Sequence, residues 1–321
     1  MIGLLLTARS LRAFADGYVA VLLPVYLLAL GYGTLEVGVL STVTMLGSAG
    51  ATLAVGRWGH RFALRRMLIA AAALMAVTGI GFAAFSSLWP LLIVALAGTM
   101  NPGGGDVSVF YPLEHTALAA ATPTGERTSA FARYSFIGSM FGALGALAAA
   151  GPEWLAGQGI AMLDALKLMF VLYGAVGIAV GLIYSRFPRV TETARPAVPL
   201  GPSRAMVWKL AGLFSVDSFA GGLMINSLLA LWLFERFDLS LTAAGAFFFW
   251  TGLLSAVSQL AAAPLSRRIG LVNTMVFTHL PANFCLIAAA FAATLESALA
   301  LLLVRSLLSQ MDVPARGAYV M

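Results

Sequence analysis

Charge is scarce in this 321-residue chain: Asp, Glu, Lys and Arg together make up 10% of it, where soluble domains average about 25%. Cysteine is nearly absent. The one copy, Cys285, excludes an intrachain disulfide. Three scattered histidines, His60, His115 and His279, together with that cysteine make no metal-binding spacing. Gly103-Gly104-Gly105 is followed by Asp106 and not by the Gly-Lys-Ser/Thr of a phosphate loop. No Gly-x-Ser-x-Gly nucleophile elbow occurs. Neither an enzyme nor a resident cofactor or metal is expected.

Apolar sequence dominates instead. Hydrophobic residues make up 60% of the chain, the mean hydropathy is +0.93, and stretches of about 20 apolar residues recur, the length needed to cross a bilayer. Ten spans are predicted, at 8–30, 35–56, 67–86, 88–118, 130–151, 164–185, 207–233, 241–263, 272–293 and 297–318. The fourth is longer than a bilayer requires and carries Asn101-Pro102-Gly103-Gly104-Gly105, which predicts a break, tolerated where it lines a cavity. The net charge of +6 does not point to nucleic acid, because the basic residues sit in short loops. With the N-terminus in the cytoplasm, 16 of the 19 Lys and Arg residues fall on the inner side, the asymmetry of a multi-pass inner (plasma) membrane protein.

Landmarks repeat along the chain. Asp16 recurs as Asp217, and Leu27-Leu28-Ala29-Leu30 as Leu228-Leu229-Ala230-Leu231, both 201 residues on. Arg61 recurs as Arg268 and Asp106-Val107 as Asp312-Val313, at offsets of 207 and 206. The longer first hairpin of the second copy, Phe234 to Ser240, accounts for the jump. A six-helix unit used twice is one way of building a secondary transporter. The division expected is an N-terminal six-helix bundle over 1–185, a cytoplasmic linker over 186–206 with four prolines, and a C-terminal bundle over 207–321 with four helices. Counterparts of helices 5 and 6 would fall at about 337–391. The expectation is therefore a twelve-helix protein that stops after helix 10, a natural ten-helix fold being the alternative.

Gly56-Arg57-Trp58-Gly59-His60-Arg61-Phe62, followed by Arg65-Arg66, lies between spans 2 and 3. It resembles the cytoplasmic loop signature of the major facilitator superfamily, with Gly56, Arg61 and Arg65 matching and His60 standing where the family has Asp. Pro264-Leu265-Ser266-Arg267-Arg268-Ile269-Gly270 is a degenerate second copy, and Met311-Asp312-Val313-Pro314-Ala315-Arg316 is similar to a stretch of some bacterial members. The resemblance implies an all-α polytopic membrane protein, a pseudo-two-fold bundle of six helices plus four of a second six. It also implies a rocker-switch transporter whose helices 1, 4, 7 and 10 line a central cavity.

Charges within spans are costly and need partners or a wet cavity. Asp16, Asp106, Asp217, Arg305 and Asp312 fall on those four helices. Asp217 and Arg305 approach the midplane from opposite sides, about 12 and 13 Å in at 1.5 Å per residue, so a pair facing the cavity, with substrate or proton competing for one member, is one reading; a static pair is the other. Asp16 is either a cavity acid or the local partner of Arg12, four residues earlier on the same face. Asn226 and Gln259 could bind substrate. Tyr26 and Trp250 either line a cavity or pack in the core. Asp106 and Asp312, with loop residues Arg61 and Arg268, form two expected inner-gate latches, with Gly56 and Arg65 in the gating loop. Asp312 has a local alternative in Arg316. Glu114 and His115, at the inner end of helix 4, read as solvated. Gly138, Gly142, Gly145 and Gly151-Pro152 on helix 5 point to close helix packing, or to exchange, since some antiporters of the family have such a helix.

The function expected is alternating-access transport of a small organic solute in a lipid bilayer. The first reading is proton-coupled drug or metabolite export, because several acids and one base favour cationic or amphiphilic cargo. The alternatives are proton-coupled uptake of a metabolite, a membrane sensor, or a non-functional fragment. No nucleic-acid partner is expected.

Overall fold

A computed structural model describes residues 1–103, 108–123, 126–188 and 204–311, with the side chains at 128, 207, 214, 217, 218 and 263 set aside. Thirteen helices fill the described residues: α1 Ile2–Ala29, α2 Thr34–Trp58, α3 Leu64–Ala84, α4 Leu88–Ala97, α5 Phe110–Ala121, α6 Arg127–Ala148, α7 Gly151–Gly157, α8 Met162–Ser185, α9 Arg204–Gly222, α10 Asn226–Phe237, α11 Leu241–Ile269, α12 Leu271–Ala290 and α13 Leu295–Ser309. Only helices satisfy every backbone group within one segment, which is what a bilayer interior demands. Seven of the described helices are long and apolar enough to cross a membrane.

Those seven match expected spans 1, 2, 3, 5, 6, 8 and 9. The other three are accounted for by the way helices break. Span 4 is α4 and α5, parted as expected around Asn101-Pro102-Gly103. Pro102 disfavours helical backbone at the residue before it, and the Asn101 side chain accepts the Gly103 N–H at 3.1 Å, closing a tight turn in place of a helical one. Span 7, expected as one helix over 207–233, is two. Gly221-Gly222 ends α9, and Ile225 is extended at φ −80°, ψ 158° before α10 begins. Paired glycines raise the entropy lost on fixing a helix, which the reading of span 7 as continuous overlooked. Span 10 is represented by the 15 residues of α13.

The first residues of the chain and the α2–α3 turn mark one side of the bundle, here the near side; the α1–α2 turn marks the far side. Helix α1 is the hub. It packs on α6 and α8 within the first half and on α10 and α11 of the second, and Ala8, Ala15, Tyr18, Leu22, Leu23 and Leu27 are buried along its length. The glycines of expected span 5, which is α6, have a packing role. A Cβ on Gly145 would lie 2.0 Å from the Phe14 carbonyl oxygen, and one on Gly17 would lie 2.1 Å from that of Gly142. The α1 and α6 backbones therefore touch, as small residues permit. Helix α6 also carries the second half: Gly245 and Gly252 of α11 sit against Ala146 and Ala143, and the Gln259 amide donates to Ser139 Oγ at 3.2 Å. Large apolar side chains such as Leu53, Ile93, Leu182 and Phe277 point outward, as lipid-facing surfaces do. Trp250 is among the outward ones, at 53% exposure. The core reading of it fails because α11 turns that face away from its neighbours.

Candidate functional site

Four helices of the first half bring their polar groups to one buried point. Glu114 of α5 is wholly enclosed, at 0% exposure. Its Oε2 accepts from the Arg12 guanidinium of α1 and from the Tyr134 hydroxyl of α6; its Oε1 accepts from the Tyr184 hydroxyl of α8. The reading of Glu114 as solvated is thus corrected. It lies one turn into α5, and α1, α6 and α8 close over it. A buried carboxylate is costly unless its charge is paired and its oxygens are hydrogen-bonded, and here one cation and two phenols do both. Charge-assisted bonds of this kind are among the strongest a protein makes.

An aromatic wall surrounds the ion pair. The Arg12 guanidinium carbon lies 4.1 Å from the centroid of Phe110, and that of Arg9 lies 4.9 Å from Tyr134, both within cation–π range. His115 is packed as well, its ring 3.8 Å from that of Tyr111 and 4.7 Å from Phe131. Rings on this scale exclude water and lower the local dielectric, which strengthens the charge pair. One turn along α1 from Arg12, buried Asp16 accepts from the Tyr173 hydroxyl of α8 at 3.4 Å. The site thus holds two basic and two acidic side chains, Arg9, Arg12, Asp16 and Glu114, so it is balanced in charge. Arg12 ion-pairs with Glu114, 102 residues away, and not only with whatever lies beside it on its own helix.

The other residues singled out in the sequence are dispersed. Tyr26 is buried near the far end of α1, where its hydroxyl donates to the Phe82 carbonyl at 2.5 Å at the close of α3, and its ring packs 4.7 Å from Phe170. Asn226 is half-buried at the start of α10. Arg305 is half-buried on α13, and its Nε is enclosed without a hydrogen-bond partner among the described residues. Arg61 and Arg268 are exposed. Arg65 donates to the Ser185 carbonyl, tying the near end of α3 to the end of α8 as a basic residue does at a helix C-terminus. Gly56 has open space where a side chain would be. Asp106, Asp312, Arg316 and the side chain of Asp217 lie outside the described residues.

Glu114, Tyr134, Tyr173 and Tyr184 escaped sequence reading as a set because they come from three separate segments, α5, α6 and α8. A signal for Glu114 was present: Phe110, Leu113, Ala117 and Leu118 put apolar residues at three- and four-residue spacing around it, the mark of a packed face.

The model of the Major Facilitator Superfamily matches residues 5–317. The chain belongs to the Major Facilitator Superfamily. This superfamily member is 23% identical over 319 residues to an uncharacterized membrane protein, YJR124C, of Saccharomyces cerevisiae, with 88% of this chain and 71% of that protein covered. Among solved structures it is similar to a bacterial homologue of the human lysosomal transporter Spinster in an inward-facing, unoccupied conformation (TM-score 0.70, 16% identity, 99% of this chain and 74% of that one). It is also similar to the xylose transporter XylE of E. coli in a partially occluded inward-open conformation (TM-score 0.71, 16% identity, 99% and 86%), and to the human organic anion transporter MFSD10 (TM-score 0.67, 16% identity, 99% and 84%). The facilitator fold anticipated from the loop signature and the repeat is thus present. The chain is a multi-pass membrane transporter and not an enzyme.

Proposed function

We propose that this facilitator-superfamily chain is a proton-coupled secondary transporter that exports small cationic or amphiphilic organic solutes by alternating access. The observation that supports this most is the enclosed Arg12–Glu114 pair, with Asp16 one turn from Arg12. A proton arriving on the Glu114 carboxylate neutralises it and dissolves its ion pair. Arg12, still charged, then turns to Asp16, its neighbour at four-residue spacing. Proton loss reverses the exchange. Because α1 packs on both halves, a change of partner on α1 reaches the interface that must part in each cycle. Asp217 and Arg305 of the second half are the proposed cavity residues facing it, with Asn226 at the break between α9 and α10. Arg61 with Asp106 and Arg268 with Asp312 are the proposed near-side latches, Gly56 and Arg65 being parts of the same loop. The reading places the protein in the inner membrane with its N-terminus in the cytoplasm, so the near side is cytoplasmic.

The test is flux of a panel of lipophilic cations from cells or proteoliposomes holding this chain under an imposed proton gradient. Efflux that a protonophore abolishes, and that Asp16→Asn and Glu114→Gln each reduce by an order of magnitude or more, is the expected result. Efflux indifferent to the gradient removes proton coupling, and proton-driven accumulation in place of efflux gives the opposite direction of transport.

A further inference from the structure

Pro24 stands inside α1 and has no N–H. In an α-helix the N–H of residue 24 would donate to the carbonyl of residue 20, and the proline ring also pushes that carbonyl outward. Ala20 is buried, so its oxygen has no access to water. Its donor comes from the other half of the molecule. Ser227, fully buried in the first turn of α10, donates its hydroxyl to the Ala20 oxygen at 2.7 Å. The Ser227 N–H is one of the orphan donors of a helix N-terminus, and it donates to the Pro102 carbonyl at 3.1 Å, within the break between α4 and α5. The same hydroxyl is 3.0 Å from the Pro102 oxygen, but it has one hydrogen to give, and the shorter contact to Ala20 takes it. Three interrupted helical segments, at Pro24, Pro102 and Ile225, thus satisfy one another at a single serine.

We propose that Ser227 is a positioning residue that holds the far side closed: its hydroxyl completes the backbone of α1 at the carbonyl that Pro24 leaves unpaired. The proposal rests on the alternating-access reading above, since it names the contact that parts when the far side opens. It does not depend on the cargo or the coupling ion. In the closed state the Ala20 carbonyl and the Ser227 hydroxyl are dry and need each other. When α10 moves away from α1, entering water satisfies both. Losing the hydroxyl therefore penalises the closed state alone, and the equilibrium moves toward opening.

The chemistry offers its own rescue. Alanine at position 24 restores the helical N–H for Ala20, so the serine hydroxyl is then dispensable. Spin labels at Leu35→Cys on α2 and Glu235→Cys on α10, both exposed positions on the far side, in a Cys285→Ser background in lipid nanodiscs, report the separation of the halves by pulsed EPR. Ser227→Ala is expected to raise the ratio of long to short distances about fivefold, the scale of one hydrogen bond. Pro24→Ala/Ser227→Ala returns the ratio to that of the parent, and Pro24→Ala alone stays closed. An unchanged distribution in Ser227→Ala overturns the proposal. So does a double variant that remains open. Should Ser227→Ala not fold, Ser227→Thr and Ser227→Val, alike in shape and different in the hydroxyl, carry the comparison: Thr closed and Val open is expected, and equal distributions overturn it. Loss of proton-driven flux with these distances intact counts against the proton-coupled reading and leaves the serine's role standing.

Discussion

Arg12 of α1 and Glu114 of α5 form an ion pair with 2% and 0% of their side chains exposed. Removing one member of such a pair strands the other as a buried charge, at a cost of about 3–5 kcal/mol. Arg12→Met and Glu114→Gln are each expected to lower stability on that scale in detergent unfolding experiments, and the double variant to lose less than the sum of the two. A strictly additive double variant shows that the two side chains do not support one another.

The two oxygens of Glu114 are unequally served, which ranks the tyrosines. Tyr184 donates to Oε1, whereas Tyr134 shares Oε2 with Arg12. Hydrogen bonds to charged groups are worth about 1.5–3 kcal/mol. Tyr184→Phe is expected to destabilise toward the upper end of that range and Tyr134→Phe toward the lower. Melting of the two variants side by side checks the order, and the reverse order refutes it.

Backbone contact between α1 and α6 makes a contrast among glycines. Gly145→Ala places a methyl 2.0 Å from the Phe14 carbonyl oxygen, whereas Gly50 on α2 has nothing within 4 Å. Gly145→Ala is expected to cost at least about 3 kcal/mol, the upper end of overpacking, and Gly50→Ala to raise stability by up to about 1 kcal/mol through helix propensity. Elution profile and melting temperature read both, and equal behaviour of the two variants contradicts the packing account.

Glu153 of α7 reaches across to the second half. Its Oε1 accepts the Leu241 N–H at 2.8 Å and its Oε2 the Thr242 N–H at 3.0 Å, so a carboxylate of one half caps a helix of the other. Negative charge is favoured at that end of a helix. Glu153→Ala is expected to cost about 1 kcal/mol, as loss of a cap does, and to speed hydrogen exchange at Leu241 and Thr242 while leaving α1 protected. Unchanged exchange at those two amides shows that the carboxylate does not cap α11.

Much of this architecture was legible in the sequence, for definite reasons. Spans show because lipid demands long apolar helices, and the break at Asn101-Pro102-Gly103 shows because proline and glycine act locally. The close-packing reading of Gly142 and Gly145 needed only their spacing. The apolar residues around Glu114 signalled a packed face, but its partners were not legible: they depend on what three distant segments do, and Tyr134 and Tyr184 lie 20 and 70 residues further along. Arg12 had a visible neighbour in Asp16, and a partner at four residues is easier to see than one at 102. The division of span 7 was signalled by Gly221-Gly222, but its partner, the carbonyl freed by Pro24, is visible only once α10 is laid against α1.

The α1–α6 contact at Gly17, Gly142 and Gly145 has a mechanical consequence. Where two backbones touch with no side chains between them, there is nothing soft to absorb a displacement. Helix α1 is then a stiff lever clamped along its middle. A displacement of α1 at this level must therefore carry α6 with it, so that the two helices behave as one body.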